Sequence, residues 1–220
     1  MIKAASTVVE KISPAIPEVA ERGADAERRT LILDCAEAMF LEQGFQAASM
    51  AGIAARSGCS KGTLYNYFVS KEELFLACVA RQCAGFQKTM STLTTGSGPL
   101  RETLFEIGRR YVEFVSSDRI VRGFRMIVAE AERAPDMARA FYAAGPARGA
   151  ETLAAYLDNA MQGGQLRKLE PLRAAHHFLG LCYDRHSKAR LCNFEPPPDA
   201  ATIERDVDDA VRIFIAAYGA

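Results

Sequence analysis

Apolar residues recur along this chain at three- and four-residue intervals, and nowhere do they alternate for long enough to make a strand. From Ala26 the spacing Ile32, Cys35, Met39, Phe40 marks one face of a helix, which Gly44 ends as a C-cap glycine does. Met50, Ile53 and Ala54 form the inward stripe of a second, short helix, capped by Ser49 and closed by Gly58. Ser60 caps a third, whose Leu64 and Phe68 lie four apart and so share one face, pointing inward. Ser70 caps a fourth, with Glu72 and Glu73 at the positive end of its dipole.

The same period continues through Leu74, Cys78 and Arg81 to Met90, and after a break at Thr95 to Pro99 through Leu104, Ile107, Tyr111 and Val115. Phe124, Ile127 and Val128 mark another helix. One more starts at Pro135, must kink at Gly145-Pro146, and resumes through Leu153, Tyr156, Leu157 and Met161. Helices over Pro171 to Lys188 and Asp199 to Tyr218 flank the stiff run Pro196-Pro197-Pro198. The pattern predicts an all-α chain of nine helices: an arm over residues 1–24, a helix-turn-helix domain over 25–71 and a second helical domain over 72–220.

Charge changes the picture by its placement. Residues 45–71 carry Arg56, Lys61 and Lys71 with no acid, a local +3, while the whole chain is formally +0. The compensating acids gather elsewhere, with six of them against Arg205 alone between Glu195 and Asp209. Only a docking face needs to be positive, so a neutral total is compatible with a nucleic-acid partner. Along the arm, Lys3, Lys11 and Arg22 are offset by Glu10, Glu18 and Glu21, which argues against a basic strap.

The six cysteines form no CxxC pair and read as apolar residues of a reducing cytoplasm, with no disulfide or metal role. No signal-peptide core and no apolar run long enough to span a bilayer occurs, so the expected location is the cytoplasm, with no membrane partner. His176, His177 and His186, with Cys182 and Asp184 near, are the one cluster rich in potential ligands. They lack the spacing of a zinc-binding HExxH helix, and there is no P-loop, dinucleotide fingerprint or nucleophile elbow, so no catalytic residue, metal or cofactor is assigned.

Two short helices joined by a tight turn present the second one to a major groove, which is wide enough for a single helix. With Leu64 and Phe68 turned inward, Lys61, Gly62, Thr63, Asn66 and Tyr67 face out, with Tyr65 at the flank. They combine a phosphate-seeking cation, a glycine that permits close approach, a thymine-compatible hydroxyl and methyl, an amide suited to adenine, and phenols for phosphate. Ser49 and Ser60 add hydroxyls at helix starts, where anions are favoured.

These residues carry a resemblance. Gly44-Phe45, Ser49-Met50, Ile53-Ala54, the run from Gly58 to Tyr65, Tyr67-Phe68, Ser70-Lys71-Glu72 and Leu74-Phe75 resemble the N-terminal DNA-binding domain of the tetracycline-repressor (TetR/AcrR) family. The register is unbroken from about Ala26 to Phe75. The resemblance implies a TetR-like fold, with a three-helix reading domain and a C-terminal domain for ligand binding and dimerisation. It also implies operator contacts at Lys61, Thr63, Tyr65, Asn66 and Tyr67, and a phosphate contact at Lys71. Where the family often has Thr, this chain has Ala48, and Ser49 is the expected substitute. The stretch Phe124 to Cys182 is similar to the ligand-binding half of the AefR-like branch, and family members usually repress.

One helix-turn-helix reads too few base pairs to be selective, so two copies must pair. Leu172, Ala175, Leu179 and Tyr183 on one helix and Val207, Val211, Phe214 and Tyr218 on the last are the expected seam, because the first of these helices is apolar around most of its circumference. The effector pocket is expected among Phe86, Met90, Phe105, Phe114, Phe124, Ile127, Phe141, Tyr156, Phe178 and Cys182, and with no charge pair among them the expected ligand is small and apolar or aromatic. Together these features predict a dimeric, ligand-responsive regulator that represses from a palindromic double-stranded DNA operator.

Overall fold

A computed structural model describes residues 23–96 and 98–220. The predicted arm lies outside these residues except for Gly23 and Ala24, which open the first helix rather than precede it. That helix, α1, spans Gly23–Ala47 and leaves helical geometry at Gly44, whose φ of 81° is open to glycine at little cost. The short α2 (Met50–Arg56) and α3 (Lys61–Tyr67) follow, then the long α4 (Lys71–Thr95). Next come α5 (Leu100–Ser116), α6 (Asp118–Glu130) and α7 (Pro135–Tyr142).

A π-helical turn, Ala143–Ala147, joins α7 directly to α8 (Arg148–Gln162). Pro146 sits in that turn, having no N–H to give and no room for the carbonyl four residues back, and the wider turn accommodates it. α9 (Pro171–Leu191) and α10 (Ala200–Tyr218) complete the order. Counting α7, the turn and α8 as one bent helix gives nine among the described residues, with no strand, as the periodicity predicts.

The described chain forms two compact units. Residues 23–83 and 126–145 make the first, residues 84–125 and 146–220 the second. This division differs from an expected boundary after Lys71. Leu74, Phe75 and Cys78, on the first turns of α4, pack into the core that α1 to α3 build, where the rings of Phe40, Phe45 and Phe75 meet with centroids 5.2 to 5.8 Å apart. Ile127 and Met137 join that core, and the Gln46 amide donates to the buried Glu130 carboxylate at 2.5 Å.

In the second unit α5, α8, α9 and α10 share one core, with Leu104, Leu153, Leu157, Phe178, Val207 and Phe214 fully buried. α5 approaches α10 so closely that a Cβ on Gly108 would stand 2.8 Å from Val207 Cγ1, a distance that only glycine avoids. All six cysteines are free thiols. Cys78 and Cys182 are buried as the composition suggests, whereas Cys35, Cys59 and Cys83 are partly exposed and Cys192 is exposed.

Candidate nucleic-acid interface

Each element of the reading head is set by local chemistry. Ser49 starts α2, its hydroxyl accepting from the Gly52 amide at 3.1 Å. The helix ends in a Schellman arrangement: Gly58, with φ 65°, donates its N–H to Ala55 O, and Cys59 donates to Ala54 O at 3.0 Å. That tight turn delivers Ser60 as the cap of α3, its hydroxyl accepting from the Thr63 amide at 3.0 Å and hydrogen-bonded to Thr63 Oγ1 at 2.9 Å. Leu64 and Phe68 anchor α3 in the core, and Ser70 caps α4 by accepting from the Glu73 amide, while the Glu73 carboxylate accepts from Val69 N–H.

The outward face of α3 consists of Lys61, Gly62, Tyr65 and Asn66, all exposed, with Thr63 half-buried between them. A Cβ on Gly62 would meet nothing nearer than Ser60 Oγ at 3.8 Å, so the helix surface is flat and open at its start. Tyr67 departs from the expected free phenol. It is half-buried, and its hydroxyl donates to Asp25 Oδ1 on α1 at 3.0 Å.

Lys71 is engaged within the chain. Its three N–H donors go to the carbonyls of Phe45, Gln46 and Ala48 at 2.8, 3.2 and 3.1 Å, with Nζ 4.5 Å from the centre of the Phe45 ring. These are the carbonyls left unpaired where α1 breaks off, and an ammonium is well suited to a helix C-terminus. The side chain clamps the α1–α2 corner of the chain without DNA.

Arg56 is likewise engaged, in a two-pronged ion pair with Glu42, and this hydrogen bond holds the exposed Glu42 carboxyl below its ordinary range. Glu42 lies just outside the acid-free window, so of the local +3 Lys61 alone stays uncommitted. The sequence reading missed a second source of charge. Arg28 is exposed on the first turns of α1, and Arg29 lies over the Phe68 ring at 5.3 Å, which brings this basic pair beside the end of α3. The adjacent arginines were visible in the sequence, but their distance from α3 along the chain hid the relation.

In the second unit the expected seam is largely spent on the chain's own core. Ala175, Val207, Val211 and Phe214 are buried, Leu179 and Tyr183 half-buried against them, and the Tyr218 hydroxyl meets His177 Nδ1 at 2.5 Å. Apolar surface left outside on α9 and α10 is that of Leu172, Leu181 and Ile213. Between these two helices runs an open groove of about 600 Å³, lined by His176, His177, Gly180, Leu181, Asp184, Arg185, Phe214, Ala217 and Tyr218.

The ten residues expected around an effector do not form one set. Phe86, Met90, Phe105, Phe114, Phe124, Tyr156, Phe178 and Cys182 belong to the second unit, but Ile127 and Phe141 pack in the core of the first. Residue 127 falls just past the point where α6 passes from one unit to the other, which periodicity alone does not mark. Phe178 and Cys182 are fully enclosed, and burial pushes the Cys182 thiol up to about 12.

His186 is buried with Nε2 2.8 Å from Asp206 Oδ2, and among the described residues no group of His, Cys, Asp and Glu side chains is placed to hold a metal ion. No described helix is long and apolar enough to cross a membrane.

Comparison with known proteins places the geometry. Residues 32–78 match the family described as bacterial regulatory proteins, tetR family, and residues 102–220 match the C-terminal domain of AefR-like transcriptional repressors. The transcriptional activator FasR of Mycolicibacterium smegmatis is 34% identical over 105 residues, 46% of this chain and 45% of its own length. The repressor KstR of Mycobacterium tuberculosis is 34% identical over 92 residues, 40% of this chain and 42% of its own. The chain thus spans under half the length of these curated relatives.

Among solved structures, a protein from Mesorhizobium loti described as a TetR-family transcriptional regulator superposes with a TM-score of 0.83 at 26% identity, covering 90% of this chain and all of that one. The flavonoid-responsive regulator FrrA gives 0.74 at 30% identity, covering 88% and 98%. A capped three-helix reading head followed by a second unit that matches an AefR-like domain over more than half the chain makes this protein a member of the TetR family of bacterial transcriptional regulators, which are DNA-binding proteins and not enzymes.

Proposed function

We propose that this regulator is a homodimeric, ligand-responsive repressor that places α3 from each copy in successive major grooves of a palindromic operator and is released by a small apolar or aromatic effector. The exposed face of α3 carries the reading. Asn66 presents an amide suited to a bidentate contact with adenine, Lys61 and Tyr65 reach for backbone oxygens, and Gly62 lets the helix start approach closely. Ser49 and Ser60 lie at helix starts, where phosphate is favoured, and Arg28 adds a cation from α1 in place of the committed Lys71. Thr63 and Tyr67 then contribute less than an unencumbered hydroxyl would.

Pairing is proposed through the outward faces of α9 and α10. Leu172, Leu181 and Ile213 are exposed there, and the small residues Gly180 and Ala217 leave room for a second helix pair to settle into the groove. A twofold pairing uses the same patch on both copies, so a single apolar patch suffices.

Ligand can weaken operator binding only by preferring a conformation with a different separation of the two reading heads. α4 is one unbroken helix with residues in both units, the natural element to carry such a shift. The AefR-like repressor domain favours repression, and FrrA, being flavonoid-responsive, supports an aromatic effector acting in the cytoplasm.

Selection of genomic fragments by the purified protein tests the proposal. A twofold-symmetric motif should be enriched, and enrichment should be lost with Asn66→Ala. No enrichment over that variant, or a monomeric mass by light scattering at micromolar concentration, would overturn it.

A further inference from the structure

The start of α1 lies beside the end of α3, and two contacts fix it there. Arg29 stands over the Phe68 ring at 5.3 Å, and the Tyr67 hydroxyl donates to Asp25 Oδ1 at 3.0 Å. Both contacts lie within the first unit. Asp25 is exposed in the first turn of α1, and Tyr67 is half-buried at the last position of α3. Lys61, Tyr65 and Asn66 are exposed along the same short helix.

Asp25 is out of keeping with the surface it joins. Residues 45–71 hold no acid, so nothing in that stretch opposes a phosphate. Folding nevertheless brings a carboxylate from 42 residues away to one edge of the reading helix. Asp25 does favour the positive end of the α1 dipole, but that role needs no contact with Tyr67. An exposed hydrogen bond adds little to stability, because water replaces it when it breaks. Its consequence lies in what it keeps the hydroxyl from doing.

A tyrosine hydroxyl has one proton to donate. Carboxylate and phosphate oxygens are both anionic acceptors and take that proton in the same way, so Tyr67 serves Asp25 or the DNA backbone but not both. A phosphate arriving at this edge also meets the carboxylate's own charge. Salt screens that repulsion beyond about 8–10 Å, so it is felt only once α3 is close to the duplex.

We propose that Asp25 is a brake on DNA binding: it holds the Tyr67 hydroxyl in the free protein and yields it to a backbone phosphate when α3 enters the groove. This rests on the reading of α3 as the helix that meets the operator. It adds a residue on the first turn of α1, outside the two short helices, that sets how tightly they hold DNA. The exchange involves a phosphate and no base, so the brake acts on operator and random sequence alike.

Fluorescence anisotropy on the full chain tests it, with one duplex bearing the motif found by genomic selection and another of random sequence. Asp25→Ala should tighten binding to both by about tenfold, the worth of one hydrogen bond to a charged group. Asp25→Asn removes the charge but keeps an acceptor for Tyr67, and should give a smaller gain; it also serves if Asp25→Ala loosens the start of α1. Added to Tyr67→Phe, Asp25→Ala should gain no more than about twofold, from the lost repulsion alone. No gain with either Asp25 variant, a gain confined to the operator, or a full gain that survives in Tyr67→Phe would overturn the assignment.

The same data tell failure of the brake from failure of the operator reading. Operator binding that does not respond to the Asp25 variants sinks only the brake. Tighter binding of the random duplex with no selected motif leaves the brake and sinks sequence-specific reading, and binding of no duplex by any variant overturns both.

Discussion

The α2–α3 reading head, two short helices, and the α9–α10 pair, two long ones, both turn surface outward, yet they differ in how that surface is made. In the head, two anchors, Leu64 and Phe68, are buried, and Lys61, Tyr65 and Asn66 on α3 are left outside. In the pair, apolar residues occupy several faces of each helix, and the core of the chain's own unit takes most of them: Phe214 is 0% exposed while its neighbour Ile213 is 50% exposed. A polar residue on a small helix has one place to go. An apolar one can satisfy itself against its own chain or against a second copy, and the chemistry of the side chain does not choose.

The largest effect that sharpens this comparison lies in the second unit. Phe214→Ala should cost about 3–5 kcal/mol of folding stability, seen as a lower urea midpoint, because it empties an enclosed site beside Phe178. Ile213→Glu should leave the fold intact but shift the mass measured by sedimentation from dimer to monomer. If Ile213→Glu unfolds the protein and Phe214→Ala does not, the partition between core and seam is reversed.

Next in size is the contrast between two lysines ten residues apart. Lys71→Ala removes an ammonium from three carbonyls and should destabilise the first unit by about 1.5–3 kcal/mol, with the salt slope of operator binding preserved in the folded fraction. Lys61→Ala should do the opposite, leaving the urea midpoint in place and reducing the slope of log K against log salt by about one unit. A flattened slope for Lys71→Ala would mean that the clamp opens on DNA.

Asn66→Ala should lower specific affinity by about 1–3 kcal/mol without changing stability, and relax base preference at one position of each half-site. The smallest change is Ser60→Ala, which removes the α3 cap and should cost about 1 kcal/mol by thermal melting, with a matching loss of affinity for all sequences. A sequence-selective loss would instead give Ser60 a role in reading bases.

Much of the head was legible because its rules are local. Ser49, Ser60 and Ser70 cap where spacing puts them, Gly44 and Gly58 take the positive φ that ends a helix, and Pro146 disturbs the helix that contains it. The fate of Lys71 was not legible, since a lysine opening α4 looks identical whether it meets phosphate or the carbonyls of Phe45 to Ala48. Tyr67 and Asp25 are 42 positions apart, and Arg56 finds Glu42 just outside the window in which acids were counted. The division of the expected seam and effector residues between core and surface was not legible for a related reason: which of two apolar faces a helix turns inward depends on what lies against it.

Amino-acid order by itself therefore determined the helices, their caps and breaks, and the apolar anchors that turn α3 outward, because these are contests among neighbours within about four residues. Tertiary structure alone decided which cations remain uncommitted, which aromatic rings stay reachable, and how the apolar surface of α9 and α10 divides between inside and outside. Those outcomes depend on partners brought together across tens of residues, through close approaches such as that of Val207 to Gly108.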